Sequence, residues 1–232
     1  MNKQAGVVVV QHEEHEGPGL LGDVLRELGL PVVTRFRSVD HGDLDAPLVV
    51  FLGGTMSVAA EDAHPFLRDE RALIAERLAV DRPVIGLCLG AQLLAAAAGA
   101  TVTRGKNGFE VGVGPVRWTK AAQEDPVCAS QGARSVVAHW HEDTFSAVPG
   151  ATLLASSDRY TQQAFRVGRS WGFQFHPELT ADELGRWLRA EAELLAADGR
   201  DVAELEAALP KLRAAEGKNR ELLERVVRAC LG

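Results

Sequence analysis

Cysteine is scarce in this chain, and what little there is has no pattern. Cys88, Cys128 and Cys230 are odd in number and lack metal-ligand spacing. That argues against a disulfide framework and makes a reducing cytoplasm the natural compartment. Basic charge is also in deficit. Lys and Arg total 25 against 32 Asp and Glu, a formal net charge of −7, which argues against a nucleic-acid-binding surface. Nothing resembles a secretory leader: Met1 to Gly6 runs into only four valines before Gln11 and His12, too short for a signal-peptide core. There is no internal repeat. One long uncharged run exists, Pro83 to Thr103, and its length would suit a bilayer. Three glycines and Gln92 interrupt it, and its composition switches midway from strand-like to helix-like, so a membrane span is not the expected reading.

What is present is the composition of a soluble globular protein, 46% hydrophobic and 25% charged in 232 residues. That length predicts one domain, residues 1–180, with a C-terminal helical extension, 181–232, packed on or beside it. Val7 to Val10 predicts a buried first strand. The polar stretch from His12 to Gly19 follows; His12, His15 and their acidic neighbours read as a solvated loop rather than a metal site. Leu20, Leu21, Val24, Leu25 and Leu28 fall at helical spacing and Gly29 ends that helix. Pro31 to Phe36 is a second strand, and Asp40 to Asp45 an acidic loop. Leu48 to Leu52 is a third strand, running into Gly53-Gly54-Thr55, where adjacent glycines allow close backbone approach and exposed N–H groups. Pro65 to Ala79 is an amphipathic helix feeding the Pro83 strand.

Strands alternating with helices imply an α/β fold, an open, mostly parallel sheet covered on both faces. Ligands of such sheets bind off the carboxyl ends of the strands. Gly53-Gly54 and the residues after Leu87 are therefore expected to be neighbours. From Thr101 to Trp171 the pattern changes to short strands, at 110–116, 136–140, 152–155 and 164–167, an antiparallel extension. His139 and Trp140 read as packing residues, whereas 141–143 form a loop more open to binding. In the tail, Pro210 and Gly217 are expected to divide the chain into short helices.

Two stretches carry chemistry. Pro83 to Ala100 reads as strand, tight turn and helix, with Cys88 at the turn between Gly86 and Gly90. That is the geometry of a nucleophile elbow, and the helix N-terminus behind it favours a thiolate. A buried structural cysteine is the plain alternative. Trp171 to Glu178 alternates as a strand does, so His176 and Glu178 share a face about Pro177. A carboxylate beside an imidazole holds its tautomer and stabilises the imidazolium. Here the alternative is a strand-end turn with no chemistry. Taken together, an elbow cysteine, a distant histidine and a nearby carboxylate make a Cys-His-Glu triad.

Residues 86–92 and 174–178 closely resemble the class I, triad-type glutamine amidotransferases. The G-x-C-x-G-x-Q elbow is met by Gly86, Cys88, Gly90 and Gln92, and Q-F-H-P-E by Gln174 to Glu178. Gly53-Gly54 and His141 also match, so the resemblance spans about residues 5 to 180. Within the family the chain is most similar to stand-alone members akin to the glutaminase domain of GMP synthase. The resemblance implies a flavodoxin-like sheet. Cys88 would attack the side-chain amide of glutamine, His176 would shuttle the proton and Glu178 would orient His176. Backbone N–H groups of Gly54 and Leu89 would form the oxyanion hole. Gly53, Gln92, His141, Glu142 and Asp143 would line the substrate site. It implies no metal and no cofactor. The implied substrate is glutamine or another γ-glutamyl compound, and the implied partner a separate synthase; from the residues themselves, the helical tail leaves a contact with a second copy of the chain open, and neither nucleic acid nor membrane is expected as a partner. No GxxxxGK[ST] phosphate loop is present, so either a separate synthase partner is expected or the protein works alone, hydrolysing or transferring γ-glutamyl groups; a regulatory module with little catalysis is the remaining alternative.

Overall fold

Four consecutive valines build the first strand, β1 (Val7–Gln11), and all four are buried. The structure, a computed structural model, describes residues 6–232; Met1 to Ala5, where no signal-peptide core is expected, lie outside them. Side chains alternate across a strand, so a continuously apolar strand must be covered on both faces. Val7 and Val9 enter one core, with helix α1 (Gly19–Glu27), while Val8 and Val10 enter another, with α2 (Phe66–Ala79) and α3 (Leu89–Ala97). Strands β3 (Val49–Phe51) and β4 (Val84–Leu87) divide in the same way: Val50 and Ile85 face the first core, Val49, Phe51 and Val84 the second. Each fully buried aliphatic or aromatic side chain contributes about 1.5–3 kcal/mol.

Among the described residues the main sheet has nine strands. Its parallel half runs β2 (Val32–Phe36), β1, β3, β4 and β11 (Ser170–Phe173). Its antiparallel half continues with β10 (Ala164–Val167), β9 (Thr152–Ser156), β6 (Glu110–Trp118) and β7 (Arg134–His141). The antiparallel extension expected between 101 and 171 is therefore continuous with the parallel sheet. Two short strands, β5 (Val102–Arg104) and β8 (Asp143–Phe145), pair separately. Strand β2 is the exposed edge, which explains why Val32, Val33 and Phe36 are exposed despite their apolar character. The short helix α4 (Lys120–Glu124) follows β6, capped by Thr119.

The tail contains α5 (Ala181–Ala190), α6 (Ala192–Ala197), α7 (Val202–Glu206) and α8 (Leu209–Leu231). Helix α5 starts at a capping box in which Thr180 and Glu183 satisfy each other's backbone N–H groups. The expected division at Pro210 and Gly217 does not occur: α8 runs unbroken through both. Pro210 lies in the first turn, where its missing N–H costs nothing, and Gly217 weakens a helix without ending it. What holds α8 together is its buried face. Leu222, Leu223, Val226, Val227 and Cys230 share the core of β1 and α1. A further cluster joins Leu184, Trp187, Leu188, Leu195 and Leu212 to Ala138 on β7. Among the described residues, no helix is long and apolar enough to cross a membrane.

Candidate active site

The elbow forms because two glycines leave room for it. A Cβ on Gly86 would come within 2.4 Å of the Gly90 carbonyl oxygen, and one on Gly90 within 2.1 Å of the Phe51 carbonyl oxygen. Between them Cys88 takes φ +50° and ψ −105° as the N-cap of α3. Such a backbone costs on the order of 1–3 kcal/mol for a non-glycine residue and persists only where its surroundings impose it. Here the Cys88 N–H donates to the Phe173 carbonyl at 2.8 Å, and the Gly90 N–H donates to Leu52 at 3.1 Å. The turn is thus tied to both neighbouring strands, β11 and β3.

Strand β11 stops at Phe173, earlier than the alternation from Trp171 to Glu178 predicts. Residues 174–178 leave the pairing of β11 with its neighbours, and His176 makes an isolated antiparallel bridge with Ala138. The Gln174 N–H donates to Gln163, and the His176 N–H to Ala138 on β7. His176 and Glu178 still meet: Nδ1–H donates to Glu178 Oε1 at 2.7 Å, both side chains buried. The Glu178 carbonyl accepts from Leu20 N–H at the start of α1. Burial alone would lower the His176 imidazole; the Glu178 carboxylate and the Cys88 sulfur outweigh it and hold the ring well above its ordinary value. With Nδ1 engaged, Nε2 is the free nitrogen, and it has no partner among the described residues. Convergence is seen at Gly53, where a Cβ would lie 3.2 Å from His176 Cε1, 3.7 Å from Cys88 Cβ and 3.0 Å from a Glu16 oxygen. Burial pushes the Glu16 carboxyl up, while the nearby His176 pulls it down.

A cavity of about 490 Å³ opens over Cys88. Gly54, Gln92, His141, Glu142 and Asp143 line it. Gly53 lies beside it, against Cys88 and His176. Leu89, the first residue of α3, is fully buried. Neither the Gly54 nor the Leu89 N–H donates to another group among the described residues. Gln92 donates to Gln174 Oε1 at 3.1 Å and to the Asp143 carbonyl at 3.4 Å. Asp143 accepts from the Ser57 hydroxyl at 2.7 Å, and Glu142 pairs with Arg104. His141 does not offer its ring to the cavity. Its Nδ1–H donates to Asp143, and Nε2 lies 3.0 Å from a Glu110 oxygen. The residue closes β7 and holds the 141–143 turn from behind.

The site also holds residues outside both motifs, and contacts of Gln174 that its place in the Q-F-H-P-E motif does not reveal. Gln174 links Cys88 Sγ, to which its amide donates at 3.7 Å, with Gln92. Trp187 stands edge-on to His176 with ring centres 5.4 Å apart, and Trp140 continues that aromatic wall. From the tail, Leu194, Ala197 and Asp198 line the cavity. His12, which reads as solvated, is fully buried. Glu110, His139 and His141 bring three donor atoms within 4.8 Å of one another, a set that could hold a metal ion. In the structure His141 Nε2 lies 3.0 Å from Glu110 and Gln163 donates to Glu110 at 2.7 Å, while His139 Nδ1, 3.6 Å from Glu110, has no hydrogen-bond partner among the described residues. Burial pushes the His139 imidazole down to about 4. Burial would raise the Glu110 carboxyl, but its histidine and hydroxyl neighbours hold it low.

Fold and site together define the class: an open α/β sheet with a cysteine on a strained elbow, facing a histidine held by a carboxylate. The model of the glutamine amidotransferase class-I family matches residues 21–192. The chain belongs to that family. It is 35% identical over 168 residues to the glutamine amidotransferase-like protein YfeJ of Salmonella typhimurium, covering 69% of this chain and 70% of that one. It is 31% identical over 170 residues to the glutamine-hydrolysing GMP synthase of Helicobacter pylori, covering 72% of this chain but only 31% of the synthase. A γ-glutamyl-L-1-hydroxyisopropylamide hydrolase of Pseudomonas is 31% identical over 128 residues, 50% of this chain and 42% of that one. The crystal structure of a glutamine amidotransferase from Thermotoga maritima superimposes with a TM-score of 0.88 at 31% identity, over 99% of both chains.

Proposed function

We propose that the protein hydrolyses the side-chain amide of glutamine through Cys88, His176 and Glu178. The observation that carries this reading is the elbow: a non-glycine residue at φ +50° lining a cavity, beside an imidazole whose Nε2 has no partner among the described residues. His176 Nε2 takes the thiol proton as sulfur attacks the amide carbon. The carbonyl electrons move onto oxygen, and the Gly54 and Leu89 N–H groups, unused by the protein, receive that oxyanion. One such donor supplies about 3 kcal/mol of barrier reduction. The tetrahedral species collapses as the C–N bond breaks, and His176 returns the proton to the departing ammonia. A water molecule then attacks the γ-glutamyl thioester while His176 accepts its proton. The C–S bond breaks, glutamate leaves and the thiol is restored. Gln92 and the 141–143 turn grip the α-amino and α-carboxylate groups of the substrate. Metal and cofactor are not required. Ammonia passes to a separate synthase, a role consistent with the similarity to GMP synthases, of which the chain spans about a third.

A second reading, hydrolysis or transfer of another γ-glutamyl amide, is favoured by the relative that acts on a substituted γ-glutamyl amide. Glutamate release from glutamine, compared in wild type and Cys88→Ala, tests the first. Loss of at least ~1,000-fold is expected on removing the nucleophile, and equal rates would remove Cys88 from that role. Glutamine left intact while γ-glutamyl alkylamides are cleaved would select the second.

A further inference from the structure

Outside the triad, one fully buried ionisable pair touches the site. His12 leaves the end of β1 with Nδ1 2.9 Å from the Gly53 carbonyl oxygen and Nε2 2.9 Å from Glu70 Oε2 on α2. Both side chains are completely shielded from solvent. A carbonyl can only accept, so Nδ1 must carry a proton whatever the charge of the pair, and Nε2 is held by the carboxylate. Burying two ionisable groups is expensive unless each finds its partner, so this placement demands a reason.

The reason lies in the peptide it touches. The Gly53 carbonyl and the Gly54 N–H belong to one planar trans peptide unit and point in opposite directions. Drawing the carbonyl toward His12 turns the Gly54 N–H the other way. The two glycines flank the site, Gly53 against Cys88 and His176, and Gly54 on the cavity wall. Gly54 is itself wedged, since a Cβ there would lie 2.9 Å from both His12 Cβ and Leu89 Cδ2. The same loop grips the turn a second time, where the Thr55 hydroxyl donates to Glu13 at 2.5 Å. Without such a hold, a Gly-Gly peptide is among the easiest to rotate.

We infer that His12, fixed by Glu70, is a positioning residue that locks the Gly53–Gly54 peptide with its N–H directed at the oxyanion site. The inference rests on the amidotransferase reading of that site. Oxyanion contacts act in the transition state and not in substrate binding, so the effect belongs in kcat and not in KM.

The test compares two double variants of the full chain. His12→Leu with Glu70→Leu removes the donor without leaving a buried carboxylate unpaired. His12→Asn with Glu70→Leu restores an amide donor near the place of Nδ1. The Leu variant is expected to lose ~10- to 100-fold in kcat for glutamine with KM within about twofold, and the Asn variant to recover most of that loss. Equal kcat in the two variants, or a loss confined to KM, overturns the inference. Crystal structures of both supply a readout independent of turnover: the Gly53–Gly54 peptide should rotate with Leu and stay in place with Asn. An unmoved peptide in the Leu variant overturns the positioning role whatever the enzyme hydrolyses. By contrast, wild-type protein that neither releases glutamate nor reacts at Cys88 with a glutamine-like chloroketone overturns the amidotransferase reading. If the Leu variant does not fold, the Asn variant is judged against wild type, and a loss above ~100-fold in it counts against the inference.

Discussion

Burial lowers two histidines of this protein alike, yet their net shifts are opposite, because one meets a carboxylate at hydrogen-bond distance and the other does not. His176 is held above its ordinary value by Glu178 and Cys88 against the pull of burial. The stability it contributes is complete below the unfolded value near 6.5 and is lost as pH rises through the folded value. His139 lies 3.6 Å from Glu110, and burial takes it down to about 4. Its contribution is complete above about 6.5 and is lost as pH falls from there toward 4. Over that window the unfolded chain binds a proton that native His139 refuses, worth up to ~3 kcal/mol by linkage. Thermal melts of wild type and His139→Gln between pH 7 and 4.5 check this. The wild type should lose stability more steeply on acidification, and parallel slopes would refute it. At this scale the sequence speaks clearly where chemistry dictates residue types. Cys88 between Gly86 and Gly90, Gln92 one turn behind, and His176 two residues before Glu178 are visible as a pattern. His12 is not, because a histidine among acidic residues reads as solvated until α2 brings Glu70 against it.

Among the elements, close approach separates glycines that look alike in the sequence. Gly90→Ala forces a Cβ against the Phe51 backbone, at 2.1 Å from its carbonyl oxygen. Backbone cannot step aside as a flexible side chain can, so the elbow must shift. Gly217 lies mid-helix in α8 with nothing within 4 Å of the added atom. Gly217→Ala is therefore expected to stabilise the protein by about 0.5–1 kcal/mol through helix propensity. Urea unfolding of both variants checks the pair: a raised midpoint for Gly217→Ala and a lowered one for Gly90→Ala, the latter with altered Cys88 reactivity. An unchanged midpoint for Gly90→Ala would mean that the elbow is not under steric control. The early end of β11 belongs to this scale too. Alternation in 171–178 predicts a strand, but the Gln174 N–H is taken by Gln163 and the His176 N–H by Ala138. Local pattern cannot anticipate hydrogen bonds from strands far away in sequence.

For the whole molecule, the central question is whether the tail is an accessory. Residues 181–198 carry Trp187 against His176 and put Leu194, Ala197 and Asp198 on the cavity wall. Helix α8 supplies five buried residues to the core of β1 and α1. At about 1.5–3 kcal/mol for each large side chain, their sum rivals the 5–15 kcal/mol of a typical domain. A chain ending at residue 208 is therefore expected not to fold, giving insoluble protein or no cooperative melt by circular dichroism. A soluble, cooperatively melting 1–208 fragment would make α8 dispensable.

The sequence by itself determined the alternation of strand and helix, the parallel half of the sheet, the elbow and the residue types gathered at it. These follow from local rules: side-chain periodicity, the steric needs of a tight turn, and the few residues able to act as nucleophile or base. Only the tertiary structure decided that Gln174 bridges Cys88 and Gln92, and that the ring nitrogens of His141 are taken by Asp143 and Glu110. It alone showed α6 walling the site and His12 gripping Gly53 from beneath. Each of these depends on which element lies across from which, and that is set by the summed burial of two cores on either side of one sheet rather than by any short stretch of chain.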